Sequence, residues 1–265
     1  MQRLPRADNG GVATTLPDPV TMPTANTKTP RAPRPRRSSD GGTWQAEKSL
    51  LTQSQIVEAT MQCLIELGYA QTTTDKIAQK AGVSRGAMTH HFKSRDAVFI
   101  AAARYVTELR AAEYGEAIGK VRVPAGTLPT YEDMRATIVS LQKYYAKPSF
   151  IALHELQRGA RTDNTLKAAM APLEKVLDDR ISAHILQHFP FWSEVQGAAE
   201  VLRDLIFSTL QGIAIDPVGY VKGARLQRLV DLLARVTQAE FDKDYASAHG
   251  AAALDRGQRA RRRAA

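Results

Sequence analysis

Apolar residues recur along most of this chain at spacings of three and four, the period of a helix with one buried face. Ile56, Ala59, Cys63 and Leu67 share one side of a predicted helix from Thr52 to Leu67, which stops at Gly68. Ile77, Ala78 and Ala81 make a narrow stripe on a second, short helix, and Met88 and Phe92 pair at i,i+4 on a third. A longer helix begins after Ser94, runs to about Ile118 and points Ala97, Val98, Ala101, Ala102 and Tyr105 inward. VRVPAGTLP at 121–129 is a loop. Helices follow near 131–146, from Pro148 to about 160, and from an Asp163 cap to about 188, with Pro172 inside the last and Pro190 ending it. Two wide apolar bands close the pattern. One, over 194–215, carries Leu202, Leu205, Ile206 and Ile213; the other, over 222–245, carries Leu226, Leu229, Val230, Leu233 and Val236. Alternating runs of β-branched residues are absent, so the predicted fold is all-α.

The ends of the chain carry no such period. Residues 1–46 are rich in Pro, Thr, Arg and Gly, and residues 247–265 are basic; both read as disordered tails, too poor in apolar surface to offset the entropy of ordering. The rest divides into a helix-turn-helix head at 49–109 and a helical body at 110–246.

Residues 72–95, TTTDKIAQKAGVSRGAMTHHFKSR, are the most informative stretch. Thr72 and Thr73 can each cap a helix, and Asp75 adds favourable charge to its first turn. Gly82 can take the left-handed conformation that ends it, Val83 anchors the turn, and Ser84 caps a second helix over Arg85–His91. Two short helices joined by a glycine turn match the motif that lays its second helix in the DNA major groove. The outward face of that helix carries Arg85, Gly86, Thr89 and His90. Lys76, Lys80, Arg85, Lys93 and Arg95 supply cations for phosphate.

Charge supports this placement. The chain of 265 residues has a net charge of +9, unevenly spread. Residues 1–48 hold eight Lys or Arg against four Asp or Glu, 49–110 seven against five, and 250–265 five against one, while 111–249 hold sixteen against seventeen. The excess therefore lies in the head and tails, as a localised nucleic-acid footprint requires. The segment RAPRPRR, ending at Arg37, and RGQRARRR, ending at Arg263, can brush phosphates, though both also suit a solvated leader and tail.

Thr52, Ile56, Ala59, Leu67 to Tyr69, Thr72-Thr73, Ile77-Ala78, Ala81 to Ser84, Gly86, His91-Phe92 and Lys93-Ser94-Arg95 closely resemble the head of TetR-type transcriptional regulators over about residues 49–100. The resemblance implies a three-helix head whose third helix enters the major groove. Arg85, Gly86 and His90 would then read bases. Thr73, Thr89, His91, Lys93 and Arg95 would hold phosphate, with Ser84 at the helix start. Where the family commonly has an aromatic residue this chain has Thr89, whose methyl can touch thymine. The resemblance further implies a homodimer joined through the last two helices, a palindromic operator on double-stranded DNA, and release of a repressor by a small-molecule effector. The rival reading is a non-specific architectural DNA-binding protein relying on its basic tails.

In the body, Tyr144, Phe150, His154 and Arg158 are the candidates for ligand contact, the last three at i,i+4,i+8, with Arg158 able to grip a carboxylate. Core packing, and pairing of Arg158 with Glu155, are the competing roles. Glu155, Arg161 and Asp163 suit pairing or capping. His184 and His188 have the spacing zinc sites use but no third ligand placed with them, so neither metal nor cofactor is expected. No catalytic constellation or phosphate-binding glycine loop appears, so the chain reads as a non-enzyme. Cys63, the single cysteine, reads as a core residue in a reducing, cytoplasmic protein, and no apolar run is long enough to span a membrane.

Overall fold

The first helix, α1 (Gly41–Gln71), starts about ten residues before its predicted beginning and bends at Gly68. Its opening turns are exposed, with the Lys48 ammonium 5.3 Å from the centre of the Trp44 ring. Residues 41–46, expected in the disordered leader, are therefore helical. The run Gln45–Leu51 consists mostly of good helix formers, and adding turns to a helix already anchored at Ile56 needs no new nucleus. The computed structural model describes residues 41–124, 127–216 and 218–264, so the rest of the expected leader, with its RAPRPRR segment, lies outside the described residues.

Among the described residues every regular element is helical. After α1 come α2 (Thr74–Ala81), α3 (Arg85–His91) and α4 (Arg95–Ile118). The body adds α5 (Tyr131–Tyr145), α6 (Pro148–Ala160), α7 (Asn164–His188), a 3₁₀ turn (Pro190–Glu194), α8 (Gln196–Ala214) and α9 (Gly223–His249). These boundaries lie within a few residues of those the apolar periodicity predicts. Pro172 sits inside α7 without ending it.

The apolar side chains gather in two clusters. One joins Ile56, Leu64, Ile77, Met88, Phe92, Phe99 and Val106 to Leu153 and Leu156 of α6 and to Leu166 and Met170 of α7. The other joins α4, α5, α8 and α9 around Tyr114, Ile138, Leu210 and Phe241. The head's core thus reaches into α6 and α7, and along α4 the side chains pass from one cluster to the other between Leu109 and Tyr114.

The C-terminal tail departs most from expectation. Residues 251–264 form α10 (Ala251–Ala264) instead of a disordered segment. Alanine makes up much of it and favours helix, and an Asp255–Arg259 pair links successive turns. Its anchors are remote in sequence. Leu254 packs on the body cluster, Gln258 donates to Asp242, and Arg261 donates to both carboxylate oxygens of Asp133 at 2.8 and 3.0 Å. Composition alone shows none of these partners.

Candidate nucleic-acid interface

A seven-residue helix such as α3 has almost no stability of its own. It is held by what flanks and underlies it. Thr73 caps α2, its hydroxyl oxygen accepting the Lys76 N–H at 3.3 Å, while the neighbouring Thr72 is buried and donates to the Gly68 carbonyl at 2.7 Å. Gly82, at φ 66°, ends α2 in the left-handed region where side chains are strained. Ser84 then caps α3 by accepting the Ala87 N–H at 3.1 Å. Met88 and Phe92 are buried beneath it beside Ile77, and each contributes about 1.5–3 kcal/mol of burial. That burial fixes which side faces out: Arg85, Gly86, Thr89 and His90 are exposed, as the periodicity predicts.

Arg85 is open to solvent. Its side chain is 82% exposed, and its Nε lies 3.4 Å from Asp75, itself 61% exposed. So open an ion pair contributes under about 1 kcal/mol and leaves the guanidinium available to a base edge. The Thr89 hydroxyl donates to the Arg85 carbonyl at 3.0 Å, so it must leave that bond before it can donate to phosphate. His90 is exposed and His91 half-buried, their rings edge to face at 5.3 Å. Lys93 is exposed and has no acidic partner among the described residues, and Ser94 caps α4 through the Ala97 N–H at 3.1 Å.

The other expected cations also have partners of their own. Lys76 donates to the Gln71 carbonyl at 2.9 Å, and Lys80 pairs with Glu66 at 2.8 Å. Arg95, expected at phosphate, turns inward instead. Its guanidinium donates to the Thr72 carbonyl at 3.3 Å, the Tyr69 carbonyl at 2.9 Å and the Tyr69 hydroxyl at 3.1 Å, and it stacks on the Tyr69 and Phe99 rings. The planar fork suits two carbonyls and two ring faces at once. Arg95 is a strut of the head.

Tyr69, a residue given no role by the motif, joins head to body. Its N–H donates to Glu155 at 2.9 Å and its hydroxyl to Asp163 at 2.7 Å, so Glu155 pairs and Asp163 caps, as expected. Gly159 allows this approach, because a Cβ there would stand 2.6 Å from the Tyr69 ring. The Leu166 N–H and then the Tyr69 hydroxyl hold the Asp163 carboxyl below its ordinary range.

The expected ligand residues are not among those that line the body's main described cavity. Tyr144 and Phe150 are buried around Arg110, whose guanidinium lies 3.4 Å from the Tyr144 ring centre and donates to the Tyr144 carbonyl at 2.9 Å. His154 stacks on Phe150, and Arg158 is exposed and pairs with Glu155 at 2.7 Å. These aromatic faces serve an internal cation from α4. The body instead opens a cavity of about 330 Å³ between α5, α7, the 3₁₀ turn and α8, walled by Tyr114, Met134, Ile138, Ile206 and Phe207 among others. Its residues come from distant segments that no single helical face reveals. His184 packs beside Tyr114 and Gly115, and among the described residues no three metal-ligating side chains come together. Cys63 is buried, and desolvation raises its thiol. Among the described residues no helix is long and apolar enough to cross a membrane.

Comparison with known proteins agrees with this geometry. The family model described as "Bacterial regulatory proteins, tetR family" matches residues 56–102, the span from the core of α1 into α4. The HTH-type transcriptional repressor Rv1474c of Mycobacterium tuberculosis is 45% identical over 58 residues, 22% of this chain and 31% of that protein. The HTH-type transcriptional repressor AcnR of Corynebacterium diphtheriae is 31% identical over 153 residues, covering 50% of this chain and 80% of that repressor. In fold, a putative TetR-family regulator from Mesorhizobium loti superposes with a TM-score of 0.58 at 16% identity, over 72% of this chain and 97% of that one. The head built from α1 to α3, the helical body behind it and these matches agree: the chain belongs to the TetR family of bacterial regulatory proteins.

Proposed function

We propose that this protein is a cytoplasmic homodimeric repressor that binds a palindromic operator through α3 and is released by a small molecule. The observation that carries this reading is the exposed face of α3, where Arg85, Gly86, Thr89 and His90 stand clear of the core that holds Met88 and Phe92. Two copies of such a head, related by a two-fold axis, present recognition helices to half-sites about 34 Å apart. Footprinting on the DNA upstream of the protein's own gene, with and without candidate compounds, tests it. A protected inverted repeat that one compound abolishes supports the reading, and uniform weak protection refutes it.

Lys93 takes the phosphate role. Lys93→Ala weakens binding to operator and random DNA alike and lowers the slope of log affinity against log salt by about one unit. An unchanged slope removes Lys93 from the interface.

The dimer reading draws on side chains that a monomer leaves wet. Val201 (68% exposed) and Leu205 stand at i,i+4 on α8, and Leu232 (48% exposed) and Val236 do so on α9. The double substitution Val201→Glu, Leu232→Glu yields monomers in sedimentation equilibrium with an unchanged helix signal, since burying two carboxylates without partners is prohibitive. A dimer that survives both charges places the interface elsewhere.

A further inference from the structure

The cavity in the body is apolar except for a few polar side chains, and most of these are already satisfied. Thr137, Ser193 and Thr237 each donate to a backbone carbonyl three or four residues earlier. Asp133 accepts from Thr130 and from Arg261, and the Ser182 hydroxyl accepts from Arg203 at 3.0 Å. Glu200 lines the wall but is exposed to solvent.

Tyr114 is different. It lines the cavity, is only 2% exposed, and its hydroxyl has no hydrogen-bond partner among the described residues. That hydroxyl opens onto the cavity rather than being sealed in the core, so an acceptor brought into the cavity can take its hydrogen bond. Burial drives the phenol well above its usual range, so it remains a donor. Arg203, a second donor on the same wall, is near enough for its charge to favour negative charge at the Tyr114 oxygen. Asp178 and Asp204 lie 3.4 and 3.6 Å from that guanidinium, but both are open to water, which screens them. Two donors thus share a wall otherwise made of Met134, Ile138, Ile206 and Phe207.

We propose that this cavity binds a compact carboxylic acid with an apolar body, its carboxylate accepting from the Tyr114 hydroxyl and lying against the Arg203 guanidinium. The hydrocarbon part fills the apolar wall, and the Arg203 charge selects acids over amines. As the identity of the effector, this rests on the release mechanism proposed above.

Trp192 lines the same cavity, and Trp44 lies on exposed α1, so a full-length Trp44→Phe background leaves Trp192 as the sole indole reporter. Octanoate and phenylacetate are titrated into it at neutral pH, alongside their methyl esters and octylamine. Both acids change Trp192 emission saturably, the esters and the amine bind at least about tenfold more weakly, and Tyr114→Phe and Arg203→Gln each weaken the acids by about 5–150-fold. The proposal is overturned if neither acid saturates the signal, if the esters match the acids, or if both variants, with native circular dichroism, bind like the parent. Operator release is read separately by fluorescence anisotropy. An acid that saturates Trp192 yet leaves the operator bound upholds the site and refutes release. A neutral compound that frees the operator while no acid binds does the reverse.

Discussion

Replacing Arg85 with alanine weakens operator binding by about 1–3 kcal/mol, or roughly 5–150-fold, and relaxes base preference at one position in each half-site. The effect is confined to specificity because the side chain is not part of the scaffold. It is 82% exposed, and its one partner, Asp75, is itself open to water. Stability should therefore hardly change, and binding to random duplex should fall far less than binding to operator. Equal losses on both DNAs would make Arg85 a phosphate contact instead. Arg85→Lys sharpens the test, since a point charge keeps the phosphate attraction but loses the bidentate fork.

Arg95→Ala has the opposite signature. Three hydrogen bonds to Thr72 and Tyr69 and two ring contacts disappear, leaving the Thr72 and Tyr69 carbonyls without that donor. Unfolding free energy falls by about 2–4 kcal/mol. At about 2–4 °C per kcal/mol for a chain this size, Tm drops by roughly 4–16 °C. Operator affinity per folded molecule keeps its salt slope, because no phosphate contact is lost. An unchanged Tm together with a slope lowered by one unit would restore Arg95 to the interface. Tyr69 couples this strut to Glu155 and Asp163, so the damage also reaches the joint between head and body.

The contrast between these two arginines marks what a sequence reveals here. Arg85 sits on a helix whose buried face is declared by Met88 and Phe92, so its outward direction follows from the period. Arg95 stands at the first position of α4, where the period is silent about direction, and its acceptors lie 23 and 26 residues away. The caps at Thr73, Ser84, Ser94 and Asp163 were legible because a cap is a local event. The ligand candidates lie apart from the described cavity for a related reason. Tyr144 and Phe150 have the spacing of a lined pocket, but Arg110 from another helix occupies the space between them. The cavity walled by Tyr114 is assembled from segments some 120 residues apart, Tyr114 to Thr237, a separation that periodicity does not register. α10 shows the same limit, since its helix depends on Asp133 and Leu128 as much as on its own alanines.

Selection from a randomised duplex library at moderate ionic strength tests the central claim most directly, because it assumes no operator in advance. The account predicts enrichment of an inverted repeat with half-sites about one helical turn, or a multiple of it, apart. Repeating the selection with Arg85→Ala should blur one position of each half-site and leave the spacing intact. Recovery of no preferred sequence from the wild-type protein, at concentrations where it binds duplex, would contradict it.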